Sequence, residues 1–271
     1  MSSAPFLLLS PALPSELLTY ILSHHIHPTT LIICSSRSDF LASLAADIFH
    51  EPACHDEVAS AEHSVGSSPP PPPGAPPEAH DDTKQEQGGR QEPPHHHPLL
   101  SSPLHQIATS RHIRVVYVPT VTHLRAYLSV FSPDDSRVPV PPAGFNPSGK
   151  YAPCIILYGF LEMHRDTSEW SAQGLGDSAS AVVELGHRLS WQTIVVEPRK
   201  HGVASPFEDL LRENVPFLSG GGRRLGPDME AGWTGRTVEV GRVMKRWFCF
   251  QLGEWDDISS DERKVGASKE E

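Results

Sequence analysis

Residues Thr29–Phe49 read TTLIICSSRSDFLASLAADIF. Leu31-Ile32-Ile33-Cys34 is a short apolar run with the branched side chains of a buried strand. Ser35-Ser36-Arg37-Ser38-Asp39 is small and polar, and an amphipathic run begins at Phe40. Strand, tight loop, helix is the build of a phosphate-binding loop. Such loops need glycines that let main-chain N–H groups turn inward, and a lysine that reaches the terminal phosphates. Ser35–Asp39 has neither, and it is shorter than the eight-residue phosphate-loop pattern. The preferred reading is a helix-capping turn with Asp39 as the cap. The alternative is an anion held by Arg37 and the helix N-terminus.

Outward from this stretch the chain alternates. Pro14–His24 has helical spacing, with Leu17, Leu18, Ile21 and Leu22 on one face. Ile113–Val118, Cys154–Tyr158 and Thr193–Val196 are short strand-like runs, and Val121–Phe131 and Ser168–Leu189 are the helices between them. Three glycines weaken the second of these helices. Near-continuous apolar strands alternating with helices predict an α/β fold: a mostly parallel sheet with helices on both faces. Towards the C-terminus, Thr237–Val243 and Trp247–Leu252 read as paired strands, which predicts a closing antiparallel hairpin.

Composition marks the segments outside this pattern. Residues 51–103 are rich in Pro, Ser, Gly, Gln and His and poor in branched apolar side chains. Such a stretch cannot offset its ordering entropy by burial, so it reads as a disordered insertion. Both flanks are patterned, so residues 1–50 and 104–253 form one domain, and long surface insertions cost little in closure entropy. Residues 254–271 read as an acidic flexible tail. Net charge is −11, of which −7 falls in residues 51–104 and −4 in residues 254–271, so the rest is neutral. Total charge therefore does not argue against a nucleic-acid partner.

Cys34, Cys54, Cys154 and Cys249 form no C-x-x-C pair and read as buried reduced thiols. Phe6–Leu9 is an apolar patch without a basic leader, and no run approaches the roughly 20 apolar residues of a membrane span. A soluble intracellular protein with no membrane partner is expected.

Three kinds of chemistry come into question. Sixteen histidines are scattered, and neither His95–His97 nor the SHHIH stretch has metal-site spacing, so no metal is expected. Gly176-Asp177-Ser178 falls inside a helical pattern rather than on a strand-to-helix elbow, which argues against an esterase nucleophile. The third is nucleic-acid contact. Arg223 and Arg224 follow a glycine-rich LSGGG, while Arg236, Arg242, Lys245 and Arg246 are interleaved with Trp233, Trp247 and Phe248. Arginines among aromatics suit sequence-independent contact with phosphates and bases, so all six are candidates for single-stranded DNA. The bland alternative is a solvated hairpin surface.

The segments RHIRVVYVPTVTHLRAYLSVF, APCIILYGFLEMHRDTSEWSAQGL, QTIVVEP and RTVEVGRVMKRWFCFQLGEW, in this order, resemble the ATPase core of RecA-type recombinases and their paralogues. The resemblance extends to the small SWIM-domain-associated paralogues of Shu-type complexes and covers most of the patterned chain. It implies a RecA-like core and a nuclear role in homologous recombination. It also implies two partners, a SWIM-domain zinc-finger protein and a RecA-type recombinase. The ATP-binding members carry a phosphate-loop lysine and a strand-end aspartate, whereas this chain has Ser35–Asp39 and Gly159 at the corresponding places. ATPase activity is therefore not carried over, and no cofactor is expected. By the same resemblance LSGGGRR occupies the region of a recombinase DNA-binding loop. The alternatives are a divergent ATP-binding paralogue with weak ATPase activity, and a structural RecA-fold subunit of another assembly such as Elongator.

Overall fold

The computed structural model describes residues 6–24, 27–50, 97–101, 103–142, 153–199, 207–218 and 236–256. In chain order these contain β1 (Phe6–Ala12), α1 (Pro14–His24), β2 (Thr29–Ile33), α2 (Arg37–His50), α3 (Pro98–Ser101), α4 (Leu104–Ser110), β3 (Ile113–Tyr117), α5 (Val121–Val130), β4 (Cys154–Tyr158) and α6 (Phe160–His164). They continue with α7 (Ala172–Leu189), β5 (Gln192–Pro198), α8 (Phe207–Arg212), β6 (Asn214–Pro216), β7 (Thr237–Glu239), α9 (Val240–Met244) and β8 (Cys249–Gln251).

Six strands form one sheet in the order β3-β2-β4-β5-β1-β8, every pair parallel. Alternation within each strand divides the core into two layers. Leu7, Leu9, Leu31, Ile33, Ile156 and Val196 point to α1 and α2. Leu8, Ile32, Ile155, Leu157 and Val195 point to the layer of α5, α7 and α9. This is the expected α/β architecture, a parallel sheet covered on both faces, and it is consistent with a RecA-like core.

Phe6–Ala12 is a central strand, between β5 and β8, where the sequence showed only an apolar patch. Its register slips between Leu9 and Ala12. Pro11, which has no N–H to donate, sits in that irregularity, and a proline inside an apolar run hides the strand from pattern reading. The first strand–loop–helix of the fold is therefore β1–α1. The Ser35–Asp39 loop is the second.

The antiparallel pair expected near the C-terminus is present, but its members differ from those read in the sequence. Asn214–Pro216 pairs with Thr237–Glu239, and Phe217 N–H donates to Arg236 O to close the pair's far end. The chain then turns helical at Val240, because Val240, Val243 and Met244 bury one helical face. Trp247–Leu252 contributes Cys249–Gln251 to the main sheet, parallel to β1. Cys249 is exposed there, whereas Cys34 and Cys154 are buried.

Two boundaries shift. Pro98–Ser101 is a helical turn within the segment read as an insertion. Trp255, placed in the tail by composition, is buried, and its indole N–H donates to Pro11 O at 3.1 Å. Among the described residues no helix is long and apolar enough to cross a membrane.

Candidate functional site

In a doubly wound sheet, ligands bind outside the carboxyl ends of strands whose connections leave towards opposite faces. Here β1 runs into α1 and β2 into α2 on one face, while β4 and β5 feed the other. The crevice lies where Ala12, Cys34, Gly159 and Pro198 converge.

That crevice is filled by the protein's own groups. Helix α1 starts with Pro14 at its first position, a favoured place, but the residue before it is Leu13, whose side chain cannot cap. Glu16 reaches back to accept from Leu13 N–H at 2.7 Å, half of a capping box. Ser15 N–H donates to the carboxylate of Asp47, on α2, at 2.8 Å. Two carboxylates thus satisfy main-chain donors at the start of α1. Arg199 pairs with Glu16, and its N–H donates to Ala12 O at 3.0 Å. Burial holds the Glu16 carboxyl above its ordinary value even beside that arginine. The Tyr158 hydroxyl donates to the same Ala12 O at 3.0 Å, and Phe40 packs edge-on against the Tyr158 ring. Burial pushes the Tyr158 phenol well up, so it stays neutral and donating.

Gly159 ends β4 in the left-handed region at φ 82°, which favours glycine, and caps α6. The carboxylate nearest this strand end comes from the neighbouring strand. Glu197 is buried and accepts from Leu161 N–H at 2.7 Å and Glu162 N–H at 3.2 Å. Burial raises its pKa to about 8 against those two hydrogen bonds. Burial, and secondarily Glu197, also pushes the Cys34 thiol up, so it is no reactive thiolate.

The Ser35–Asp39 loop is a capping box with its roles exchanged from those expected. Ser36, one position before the helix, accepts from Asp39 N–H at 3.1 Å and donates to the Asp39 carboxylate at 2.6 Å. Arg37, Ser38 and Asp39 are exposed, and Ser35 is half-buried.

Ser178 does meet a histidine: His164 Nε2 lies 2.8 Å from its hydroxyl. His164 Nδ1 faces Phe160 O at 2.7 Å and must donate, so Nε2 accepts from Ser178. The Ser178 oxygen in turn accepts from Arg125 Nε at 2.9 Å, and Arg125 bonds Glu169 at 2.6 Å. Ser178 and His164 are both wholly buried, and burial lowers the histidine's pKa. The buried, neutral Ser178–His164 pair, tied to the part-exposed Arg125–Glu169 ion pair, holds α5, α6 and α7 together and offers a substrate no access.

The basic candidates divide. Arg223 and Arg224 lie outside the described residues. Arg236, Arg242 and Arg246 line one groove of about 850 Å³, floored by the start of α7 and walled by β7 and α9. Trp247 and Phe217 supply its apolar surface, and Asp177 and Ser180 its polar edge. Lys245 is exposed but outside the groove. The helical turn at Val240 brings this about: residues four apart share a helix face, and the helical bonds continue to Phe248. Strand alternation would also have set Arg242 and Arg246 on one side, but α9 anchors that side beside α7 by burying Val243 and Met244. Gln173 clamps the opposite rim through two bonds to the Leu218 main chain, at 2.8 and 3.0 Å.

Among the described residues no group of three His, Cys, Asp or Glu side chains could hold a metal ion. Asp47 was missed in the sequence, although a signal was there. Phe40, Leu44 and Asp47 fall at helical spacing on one face, so an acid stands at a core position.

Comparison with family models, with curated proteins and with solved structures finds no match to this chain.

Proposed function

We propose that this chain is a non-catalytic RecA-fold subunit that acts by binding, as a member of a Shu-type complex promoting homologous-recombination repair. Its partners in that reading are a SWIM-domain zinc-finger protein and a RecA-type recombinase, and its place of action is the nucleus. The observation that carries the non-catalytic half is the Asp47 carboxylate on Ser15 N–H, with Glu16 on Leu13 N–H beside it. The main-chain donors at the start of α1 are already held by two carboxylates, one of them paired with Arg199, and so are not free for a triphosphate. Gly159 at the end of β4 leaves no acid there for Mg²⁺. The recombination half rests on the resemblance of the sequence segments and on the parallel sheet they form.

Two measurements test it. ATP with Mg²⁺ should leave the melting temperature unchanged, and purified protein should turn over no ATP. Affinity purification with mass spectrometry should recover recombination factors. Recovery of another assembly alone would assign the fold to that assembly instead.

A further inference from the structure

The groove between α7, β7 and α9 has the chemistry of a polyanion site with a stacking surface. Arg236, Arg242 and Arg246 are exposed, and none makes an ion pair with a described residue. Elsewhere Arg125, Arg165, Arg199 and Arg212 each hold a carboxylate. Three guanidinium groups in one concave surface, without an ion pair among the described residues, repel one another unless an anion joins them. Between them lie Trp247, half-buried, and Phe217, which is 45% exposed. Exposed aromatic faces beside arginines match a base as well as a phosphate. An acidic peptide would use the arginines but leave the rings without a counterpart.

We infer that this groove binds single-stranded nucleic acid, with phosphates on Arg236, Arg242 and Arg246 and a base stacked on Trp247. This deepens the recombination reading and rests on it for biological context. The polarity of the groove fixes the strand's placement. Asp177 stands exposed on the α7 side, so phosphates avoid that wall and keep to the α9 side. Base edges then face Asp177, whose carboxylate accepts from an amino group such as cytosine N4. Thymine offers only an N3–H flanked by two carbonyl oxygens that face the carboxylate unfavourably, so it suits Asp177 less well.

The test uses the full chain and fluorescein-labelled oligo-dT and oligo-dC of equal length. Binding should fall with salt, and the R236A/R242A/R246A variant should flatten the log–log slope by roughly 2, about 0.7 for each phosphate no longer neutralised. Trp247→Ala should weaken binding about tenfold, while Trp247→Phe keeps most of it. Asp177→Asn should tighten oligo-dT binding and narrow the preference for oligo-dC. The conservative R236K/R242K/R246K variant, with unchanged circular dichroism, should keep the salt slope and so separates removal of charge from damage to the fold. Three results overturn the inference: no binding by the wild type, binding indifferent to the triple alanine change, or displacement of the oligonucleotide by poly-glutamate at equal charge concentration. Affinity purification of the triple variant separates the two readings. Loss of DNA binding with recombination factors still recovered supports both. A wild type that recovers none of them, yet binds DNA through the groove, sinks the complex and keeps the site.

Discussion

Ser15 and Asp47 are joined by a main-chain to side-chain hydrogen bond of 2.8 Å, with both residues buried at 5% and 3% exposure. The bond links the first turn of α1 to the third turn of α2. It is needed because Leu13, the residue before the helix, offers no side-chain acceptor. Asp47→Ala leaves a buried N–H without a partner, which costs about 1–3 kcal/mol. Asp47→Asn keeps an acceptor and should cost less. Urea denaturation of the two variants checks the order, and equal losses would count against the bond.

Glu197 should impose a pH dependence on stability. Its pKa is about 8 in the folded protein against 4.5 for the ordinary carboxyl. Between those values the folded chain holds a proton that the unfolded chain has released. Stability contributed by this group is therefore full below about pH 4.5, falls as pH rises, and levels off above about pH 8. The slope over that window is about 1.4 kcal/mol per pH unit at most. Glu197→Gln cannot ionise and should flatten the decline, with its largest gain over wild type at pH 8. Thermal melts at pH 6 and pH 8 measure this, and parallel shifts in both proteins would refute it.

Gly186 shows what helix propensity alone conceals. By propensity an alanine in α7 should stabilise by up to about 1 kcal/mol. A Cβ at this position, however, would lie 2.5 Å from the Phe6 ring and 2.5 Å from Thr193 Oγ1. Thr193 is wholly buried, and the half-buried Phe6 ring already packs edge-on against His187 at 4.7 Å between centroids. Overpacking of about 1–3 kcal/mol wins, and Gly186→Ala should lower the melting temperature. Gly176, with nothing within 4 Å, is the control: Gly176→Ala should raise it.

These residues explain what could be read in advance. Leu31–Ile33 and Cys154–Tyr158 were legible because a parallel strand buried on both faces is apolar throughout. Phe6–Ala12 was not, since Ser10-Pro11 breaks the run while the sheet accommodates the break as a register slip. The glycines of α7 looked like weakness, yet Gly174 and Gly186 sit where a side chain would strike Glu169 O or Phe6. The arginines around Trp247 were legible as a composition. Their groove was not, because it depends on α9 docking beside α7, two elements far apart in sequence. The capping turn read at Ser35–Asp39 is there with Ser36 as its cap, whereas the cap of α1 was hidden because the acceptor for Ser15 comes from a residue 32 positions away.

Trp255 tests where the packed chain ends. Its ring is 5% exposed, meets Tyr20 edge-on at 5.7 Å between centroids, and bonds Pro11 O. Gly253 N–H donates to Ser10 Oγ at 2.8 Å, and Ser10 also bonds Asp256. This strap covers the carboxyl end of β1 and holds α1 against the sheet. Trp255→Ala removes a large buried side chain and should cost about 3–5 kcal/mol. Trp255→Phe keeps the edge contact and loses the hydrogen bond, so it should fall between alanine and wild type. Equilibrium unfolding in urea distinguishes them. If the chain from residue 254 onward were a free tail, all three proteins would unfold at one midpoint.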